Sequence, residues 1–265
     1  MFKNLQIEWM KIKNYRVFQV FSVLYLLGIL LIIYIFYKVY ISFIGSVQES
    51  LVGVNSGGSD VLQLFTSTNL AYSVCFWTSF LLYLPGMVII NLFINEVNFK
   101  THRQNIIDGW KRETFIYTKI SLIVCFAVVI AIMNFIAIMI MTQVANTSFS
   151  FEAIKVVGLS FIQSFIYLMF ALLLATFFRR SGIAIIVFFI YGLLLESLFM
   201  WLLSNISPAA QYFLPLQVAD SLIPFIRFKE MYKSMPSEMV MLIGAIAYAG
   251  LYIYMTVRKY KYDDL

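Results

Sequence analysis

Six long apolar runs constrain this chain, because each is long enough to cross a lipid bilayer. A hydrocarbon core of roughly 30 Å needs about 20 residues of α-helix. The runs lie near residues 17–43, 70–94, 115–142, 153–178, 182–203 and 239–257. Lipid offers no hydrogen-bond partner to backbone amides, so such continuous runs must be helical, and the alternation typical of a membrane β-barrel is absent from them. The sequence therefore predicts an all-α membrane protein with six transmembrane helices.

Composition agrees with this fold class. The chain is 62% hydrophobic and 12% charged, whereas soluble domains are roughly 45–50% apolar and about 25% charged. There is no internal repeat, low-complexity tract or Pro/Gly-rich linker in the sequence. We expect residues 1–265 to form a single transmembrane domain.

The distribution of Lys and Arg predicts which side of each span is cytoplasmic. Fourteen of the 19 basic residues fall on one side of the predicted spans. They are Lys3, Lys11, Lys13, Arg16, Lys100, Arg103, Lys111, Arg112, Lys119, Arg179, Arg180, Arg258, Lys259 and Lys261. This side also holds both termini, so the N and C termini are predicted to be cytoplasmic. The net charge of +6 then indicates topology and contact with anionic lipid, not binding to nucleic acid.

Residues 1–16 have the pattern of an interfacial helix on the inner leaflet. Leu5, Trp9 and Ile12 recur at helical spacing among basic side chains, and tryptophan favours the headgroup layer. The alternative is a disordered basic tail.

The segment 96–114, between the second and third spans, is the densest run of charge in the chain. Thr101 and Gln104 have the spacing of a capping box that starts a helix, and Gly109 is placed to end it. The large apolar side chains of residues 101–110 are Ile106, Ile107 and Trp110. A helix of two turns is too short to be stable alone in water, so it must dock on lipid or on protein.

This segment carries a resemblance to a known family. Its pattern is Glu96, then Lys100-Thr101 with Arg103, then Gly109-Trp110-Lys111-Arg112, then Lys119. It resembles the signature that follows the second span in permease subunits of type-2 ATP-binding-cassette (ABC) exporters. In that family an acid ends the span, a Gly-Thr pair opens a short coupling helix, and a Pro-x-Ser-Arg turn leads to a lysine. Here Lys100 stands for the Gly, Gly109 for the Pro and Lys111 for the Ser.

The resemblance extends to the architecture. Family members have an interfacial N-terminal helix, six spans with both ends inside, and an outer segment before the last span that re-enters the membrane. Residues 205–238, with four prolines among large apolar side chains, fit that outer segment. The implied ATPase-coupling residues are Glu96, Thr101, Arg103, Ile106, Ile107, Trp110 and Arg112.

The resemblance also implies partners and a location. Two copies of a cytoplasmic ABC ATPase would grip the coupling helix, and a second permease subunit, identical or paralogous, would complete the path. No cofactor is expected on this chain, because ATP and Mg²⁺ would bind the ATPase. The expected location is the bacterial plasma membrane.

Glu196 is a carboxylate within the fifth span, where a charge costs at least about 2.5 to 3.5 kcal/mol on insertion scales. One interpretation is a residue that lines the substrate path or the dimer interface. The other is a carboxyl group that ties spans together through partners such as Asn134 or Gln163.

No catalytic or metal-binding constellation is present in the sequence. The chain has one histidine and no G-x-x-x-x-G-K-[ST] phosphate loop, so it is predicted not to be an enzyme and to hold no metal. Two other functions stay open, an ion-coupled secondary transporter that uses Glu196 and a membrane anchor for a cytoplasmic partner. The sequence does not select a cargo.

Overall fold

The computed structural model describes residues 2–50, 66–101, 112–225 and 235–262 of the chain. Every regular element within these ranges is a helix. The α-helices are α1 (Phe2–Lys13), α2 (Arg16–Ser50), α3 (Ser67–Ser79), α4 (Tyr83–Asn98), α5 (Arg112–Val144), α6 (Phe151–Phe178), α7 (Ser181–Ile190), α8 (Glu196–Ser204), α9 (Gln217–Asp220) and α10 (Glu238–Tyr262).

The prediction of six membrane-spanning helices is confirmed by length and hydropathy. The spans are Arg16–Ser42, Ser67–Asn98, Glu113–Val144, Phe151–Phe178, Ser181–Ser204 and Glu238–Tyr262. The second span joins α3 to α4 through a 3-10 turn at Phe80–Leu82, and the fifth joins α7 to α8 through a π-helical turn at Tyr191–Leu195. The predicted interfacial helix forms over Phe2–Lys13, three residues short of the expected boundary at residue 16.

Ion pairs show which helix ends lie together. Lys261, in the last turn of α10, pairs with Glu113 at the start of α5 at 2.7 Å, and Lys11 of α1 lies 3.5 Å from Glu96 near the end of α4. We call this end of the bundle the terminal face. At the opposite end, Lys155 of α6 pairs with Glu238 at the start of α10 at 2.7 Å. Both α1 and the end of α10 therefore lie at the terminal face, which the basic residues predict to be cytoplasmic.

Helix α6 forms the centre of the bundle. It packs against α3, α4, α5, α7 and α10, and 72% of its apolar stretch is buried. The first span is 11% buried and the fifth is 17% buried. These two spans therefore present most of their apolar side chains to the bundle exterior, which suits contact with lipid or with another transmembrane subunit.

The second and fifth spans approach each other closely at two glycines. A Cβ on Gly86 would lie 2.5 Å from the buried ring of Phe188, and a Cβ on Gly192 would lie 2.2 Å from Tyr83 Oη. Pro85, next to Gly86, lacks a backbone N–H, and the preceding turn adopts 3-10 geometry. Helices commonly bend at such a residue, and here the helix changes its geometry one turn before Pro85.

The described part of the outer segment, residues 205–225, folds against α8 and α10 in short pieces. It contains a 3-10 turn at Ala210–Phe213 and the four-residue helix α9. Tyr212 and Leu216 are almost fully buried. Tyr248 and Tyr252 of α10 donate hydrogen bonds to the carbonyl oxygens of Phe213 and Pro215 at 2.7 and 3.1 Å. Re-entry of this segment into the membrane stays a prediction.

Helix α4 ends at a residue in left-handed backbone geometry. Lys100 has φ of 56°. Its backbone N–H donates a hydrogen bond to the carbonyl oxygen of Val97 at 3.2 Å and not to that of Glu96. The Thr101 hydroxyl donates to that Glu96 carbonyl at 3.1 Å, so the last turn of the helix is satisfied. Glycine is the residue that adopts this geometry without steric cost.

We predict that Lys100→Gly stabilises the protein. Removing the Cβ should recover about 1 kcal/mol of unfolding free energy, because left-handed geometry costs a side-chain-bearing residue roughly that amount. Asn98→Gly is the matched control, since Asn98 is the last residue of α4 and does not have a positive φ, so glycine there relieves no strain and should not stabilise the protein. Melting temperatures in detergent measure both changes. Equal destabilisation by the two variants would contradict the assigned geometry at Lys100.

Candidate functional site

Four charged side chains from three helices meet at the terminal face, and we call them the terminal charge cluster. They are Glu8 and Lys11 of α1, Glu96 of α4 and Lys119 of α5. The Lys119 ammonium donates to the Glu8 carboxylate and to Glu96 Oε1 at 2.7 Å. Lys11 donates to Glu8 Oε1 at 3.1 Å. The cluster thus joins α1 to the spans on both sides of the 96–114 segment.

Helical periodicity on α1 places Glu8 in this cluster. Glu8 and Ile12 are four residues apart and share one face of the helix, and both are 1% exposed. Trp9 and Met10 lie on the other side and are more than half exposed. Helix α1 therefore inserts a carboxylate into the bundle while Ile7, Trp9 and Met10 face outward, where an interfacial helix contacts lipid.

The charges of the cluster stabilise one another. Burial raises the pKa of the Glu8 carboxyl, but the ammonium groups of Lys119 and Lys11 lower it further, so its pKa lies below the ordinary value of 4.5. Burial lowers the pKa of Lys11, and Glu96 and Glu8 together raise it above its ordinary value. Among the described residues of the cluster, two carboxylates face two ammonium groups, and buried ions are tolerated when they are paired in this way.

The structure places part of the predicted coupling set in or beside this cluster. Glu96 is a member, and Thr101 caps the end of α4 next to it. Arg112 starts the backbone of α5. The remaining predicted coupling residues, Arg103, Ile106, Ile107 and Trp110, lie outside the described residues.

Sequence reasoning missed Glu8. It is the one acidic residue among residues 1–16, and that isolation in a basic helix was a usable signal. Nothing in the sequence indicated that Lys119 would be its partner, because the two residues are 111 positions apart.

Glu196 lies in a second polar site, toward the opposite end of the bundle. Its side chain is almost fully buried. Glu196 Oε1 accepts hydrogen bonds from the backbone N–H groups of Leu216 and Gln217, both at 2.7 Å. These amides belong to the start of α9, where helix geometry leaves N–H groups without an intrahelical acceptor. The carboxylate therefore ties the fifth span to the outer segment.

The partners expected for Glu196 were wrong. Asn134 donates to Ser160 Oγ at 2.5 Å, and Gln163 donates to Asp220 Oδ1 at 2.9 Å. The backbone amides of a short helix fill the role that these side chains were expected to fill. The tie itself agrees with the interpretation of Glu196 as a residue that connects structural elements.

Among the described residues, no group of three or more His, Cys, Asp or Glu side chains is placed to hold a metal ion. Comparisons with protein-family models, with curated proteins and with solved structures find no match for this chain.

We predict that Lys119→Met destabilises the protein by about 3–5 kcal/mol, because it leaves the buried carboxylate of Glu8 beside Glu96 without its main partner. Lys261→Met is the matched control. It removes an ammonium at the same face from an exposed pair with Glu113, and exposed pairs contribute little to stability. Unfolding in detergent measures both variants. Comparable melting temperatures for the two variants would show that the cluster does not hold α1.

Because the pKa of Glu8 is lowered in the folded protein, the stability that Glu8 contributes depends on pH in the acid range. Stability from Glu8 is full above its ordinary pKa of 4.5 and is lost as the pH falls through the lower pKa of the folded state. Below about pH 4.5, the melting temperature of the wild type should fall more steeply with decreasing pH than that of Glu8→Gln. Parallel curves for the two proteins would contradict it.

For Glu196 we predict a difference between a polar and an apolar substitution. Glu196→Gln keeps an oxygen that accepts from both amides, so folding should change little. Glu196→Leu leaves two buried N–H groups without an acceptor, which costs about 1–3 kcal/mol for each group. Melting temperature and size-exclusion profile measure both. Wild-type stability in Glu196→Leu would contradict the structural tie.

Proposed function

We propose that this chain is the membrane-spanning subunit of an ATP-driven ABC exporter. Two such subunits, identical or paralogous, enclose the transport path in a bacterial plasma membrane. Two copies of a separate ABC ATPase bind the 96–114 segment from the cytoplasm and hydrolyse ATP. The chain itself is not an enzyme under this proposal, and ATP and Mg²⁺ bind the partner.

The terminal charge cluster is the observation that supports this proposal most. Glu96 ends the second span and Lys119 lies in the first turns of the third, and the two side chains pair at 2.7 Å. The ion pair therefore joins the two spans at the point where the 96–114 segment begins and ends, so a force applied to the segment reaches both spans at once. A loop that only connects two helices needs no such buried ion pair, whereas a segment that transmits force benefits from a rigid base.

The geometry of Lys100 gives independent support. Lys100 is the position at which this chain departs from the Gly-Thr pair of type-2 exporter permeases, and its φ of 56° is the geometry that favours glycine. The hydroxyl of Thr101, the second residue of that pair, caps the preceding helix. The backbone at this point is thus of the kind that a Gly-Thr pair would form.

Low burial of two spans supports the second permease subunit. Within the single chain the first and fifth spans are 11% and 17% buried, with large apolar side chains such as Leu30 and Leu194 on the exterior. A second transmembrane subunit would cover part of that surface, and lipid the rest.

Ion-coupled secondary transport is the second candidate. Glu196 was the residue proposed to carry the ion, and its Oε1 already accepts two backbone hydrogen bonds, which favours a fixed structural role. Asp220 is the carboxylate that faces an open cavity. Transport that follows a pH gradient without ATP would support this candidate, and binding of a soluble partner without any transport would support a membrane anchor.

We predict that replacing Ile106, Ile107 and Trp110 with Ser abolishes binding of the ATPase. Each large apolar side chain lost from a buried contact removes roughly 1.5–3 kcal/mol. The complex is purified in mild detergent from the native host. A chain with a nucleotide-binding phosphate loop should be identified by mass spectrometry, and the complex should hydrolyse ATP. The triple-Ser variant should enter the membrane normally, but it should purify without the ATPase chain and without ATP hydrolysis.

The matched control replaces three exposed apolar residues away from the terminal face with Ser. Phe151, Ile206 and Met239 are 87%, 81% and 73% exposed, and they lie at or beyond the opposite ends of the spans. This control should keep the ATPase. Full ATPase binding and transport in the Ile106, Ile107 and Trp110 variant would remove the main support for the exporter proposal.

A further inference from the structure

A cavity of about 190 Å³ lies between the second span, α6, the fifth span and the outer segment. We call it the outer cavity. Its polar lining includes Tyr83, Gln163, Tyr167 and Asp220. The remaining lining is largely apolar and aromatic, with Phe76 and Phe80 on the side of the second span.

Asp220 is held in a fixed orientation at this cavity. Tyr167 Oη lies 2.9 and 2.8 Å from its two carboxylate oxygens, and Gln163 Nε2 donates to Oδ1 at 2.9 Å. The side chain is partly exposed, so Oδ2, which receives fewer hydrogen bonds than Oδ1, keeps capacity for a further donor or a cation.

Among the described residues that line the outer cavity, Asp220 is the one with an ionisable acid or basic side chain of the Asp, Glu, Lys or Arg type. Glu196 is a second acidic group in this part of the bundle, close enough to interact electrostatically with Asp220. No ion pair of Asp220 occurs among residues 2–50, 66–101, 112–225 and 235–262. Arg227, Lys229 and Lys233 lie in residues 226–234, outside those ranges.

The aromatic rings give the cavity a second property that favours cations. Phe76 and Phe80 meet edge to face at a centroid distance of 5.6 Å, and Phe80 is half exposed. A cation over an aromatic face is attracted by the ring quadrupole, and recognition of quaternary ammonium groups commonly uses such rings. One carboxylate among rings does not suit Ca²⁺ or Mg²⁺, which require six or more oxygen ligands including water.

We propose that the outer cavity is a binding site for a small organic cation, an ammonium group with short apolar substituents. Asp220 neutralises the charge of the ligand, Tyr167 and Gln163 fix the carboxylate, and Phe76 and Phe80 contact the apolar substituents. A volume of about 190 Å³ lies below the range of roughly 300–1,000 Å³ that is typical of pockets for drug-sized ligands, and it suits a small quaternary ammonium. The proposal that a cation binds here depends only on the structure of the cavity. The further step, that such a cation is the exported cargo, depends on the proposed function.

Binding of radiolabelled tetraethylammonium to the purified full chain in lipid nanodiscs tests the site. The wild type should bind it saturably, and a neutral hydrocarbon of the same shape should not compete. Asp220→Asn keeps one carbonyl oxygen that can accept from Tyr167 and Gln163 but removes the charge, so affinity should fall at least about tenfold. Glu152→Gln, which changes an exposed carboxylate near the start of α6, is the matched control and should bind as the wild type does.

A second variant keeps the test decisive if Asp220→Asn does not fold. Phe80→Leu keeps the carboxylate and an apolar surface but loses the ring, and it should weaken binding several-fold, because the cation loses its contact with the aromatic face. Absence of saturable binding by the wild type overturns the proposal, as does equal competition by the neutral hydrocarbon. Binding that appears only after Lys229 and Lys233 are both changed to Gln also overturns it, because the chain's own lysine then occupies the cavity. Each outcome is independent of ATP and of any ATPase, so it is distinguishable from failure of the exporter proposal.

Discussion

The buried ammonium of Lys119 is the group on which the terminal face depends. It lies between the carboxylates of Glu8 and Glu96, with its side chain 4% exposed. Moving an ammonium group from water into such a site costs several kcal/mol unless carboxylates and hydrogen bonds replace the lost hydration. Three separate helices have to be in position before that replacement is complete. The ion pairs therefore fix an arrangement of α1, α4 and α5 that apolar packing alone would leave free to slide.

In the opposite half of the bundle, polar side chains supply hydrogen-bond partners to backbone that lies outside the long helices. Residues 205–225 contain short helices whose ends leave amides and carbonyls unpaired. Glu196 accepts from two of the amides, and Tyr248 and Tyr252 donate to two of the carbonyls. Backbone outside regular helices is tolerated at membrane depth only where such partners exist. These side chains are thus what permits an apolar, proline-rich segment to pack closely on the spans.

The spans were predictable from the sequence because hydropathy over about 20 residues depends on composition and not on the details of packing. Glu96 was predictable as a site residue because it ends a span within a recognisable pattern. The pairing of Glu8 with Lys119 was not, because it depends on how α1 lies against α5. The partners of Glu196 were also beyond reach, since backbone amides exist at every residue and carry no sequence signal. Lys100 was noticed as a departure from a family pattern, but its left-handed geometry became visible only in the structure.

The second span connects the two polar sites. Glu96 takes part in the terminal charge cluster, and Tyr83 lines the outer cavity at the other end of α4, about 20 Å away along a helix with a rise of 1.5 Å per residue. Phe80, in the 3-10 turn at Phe80–Leu82, and Phe76, on the far side of that turn, continue the lining. Regular α-helix moves as a stiff unit, whereas a break in its hydrogen-bond pattern beside a proline is a position at which the axis can bend. A displacement of the 96–114 segment would therefore travel undiminished along α4 and reach the cavity at the point where the span is least regular. Of the elements that line the cavity, the second span is the one that also carries a residue of the cluster, so it is the element through which the two sites would be coupled.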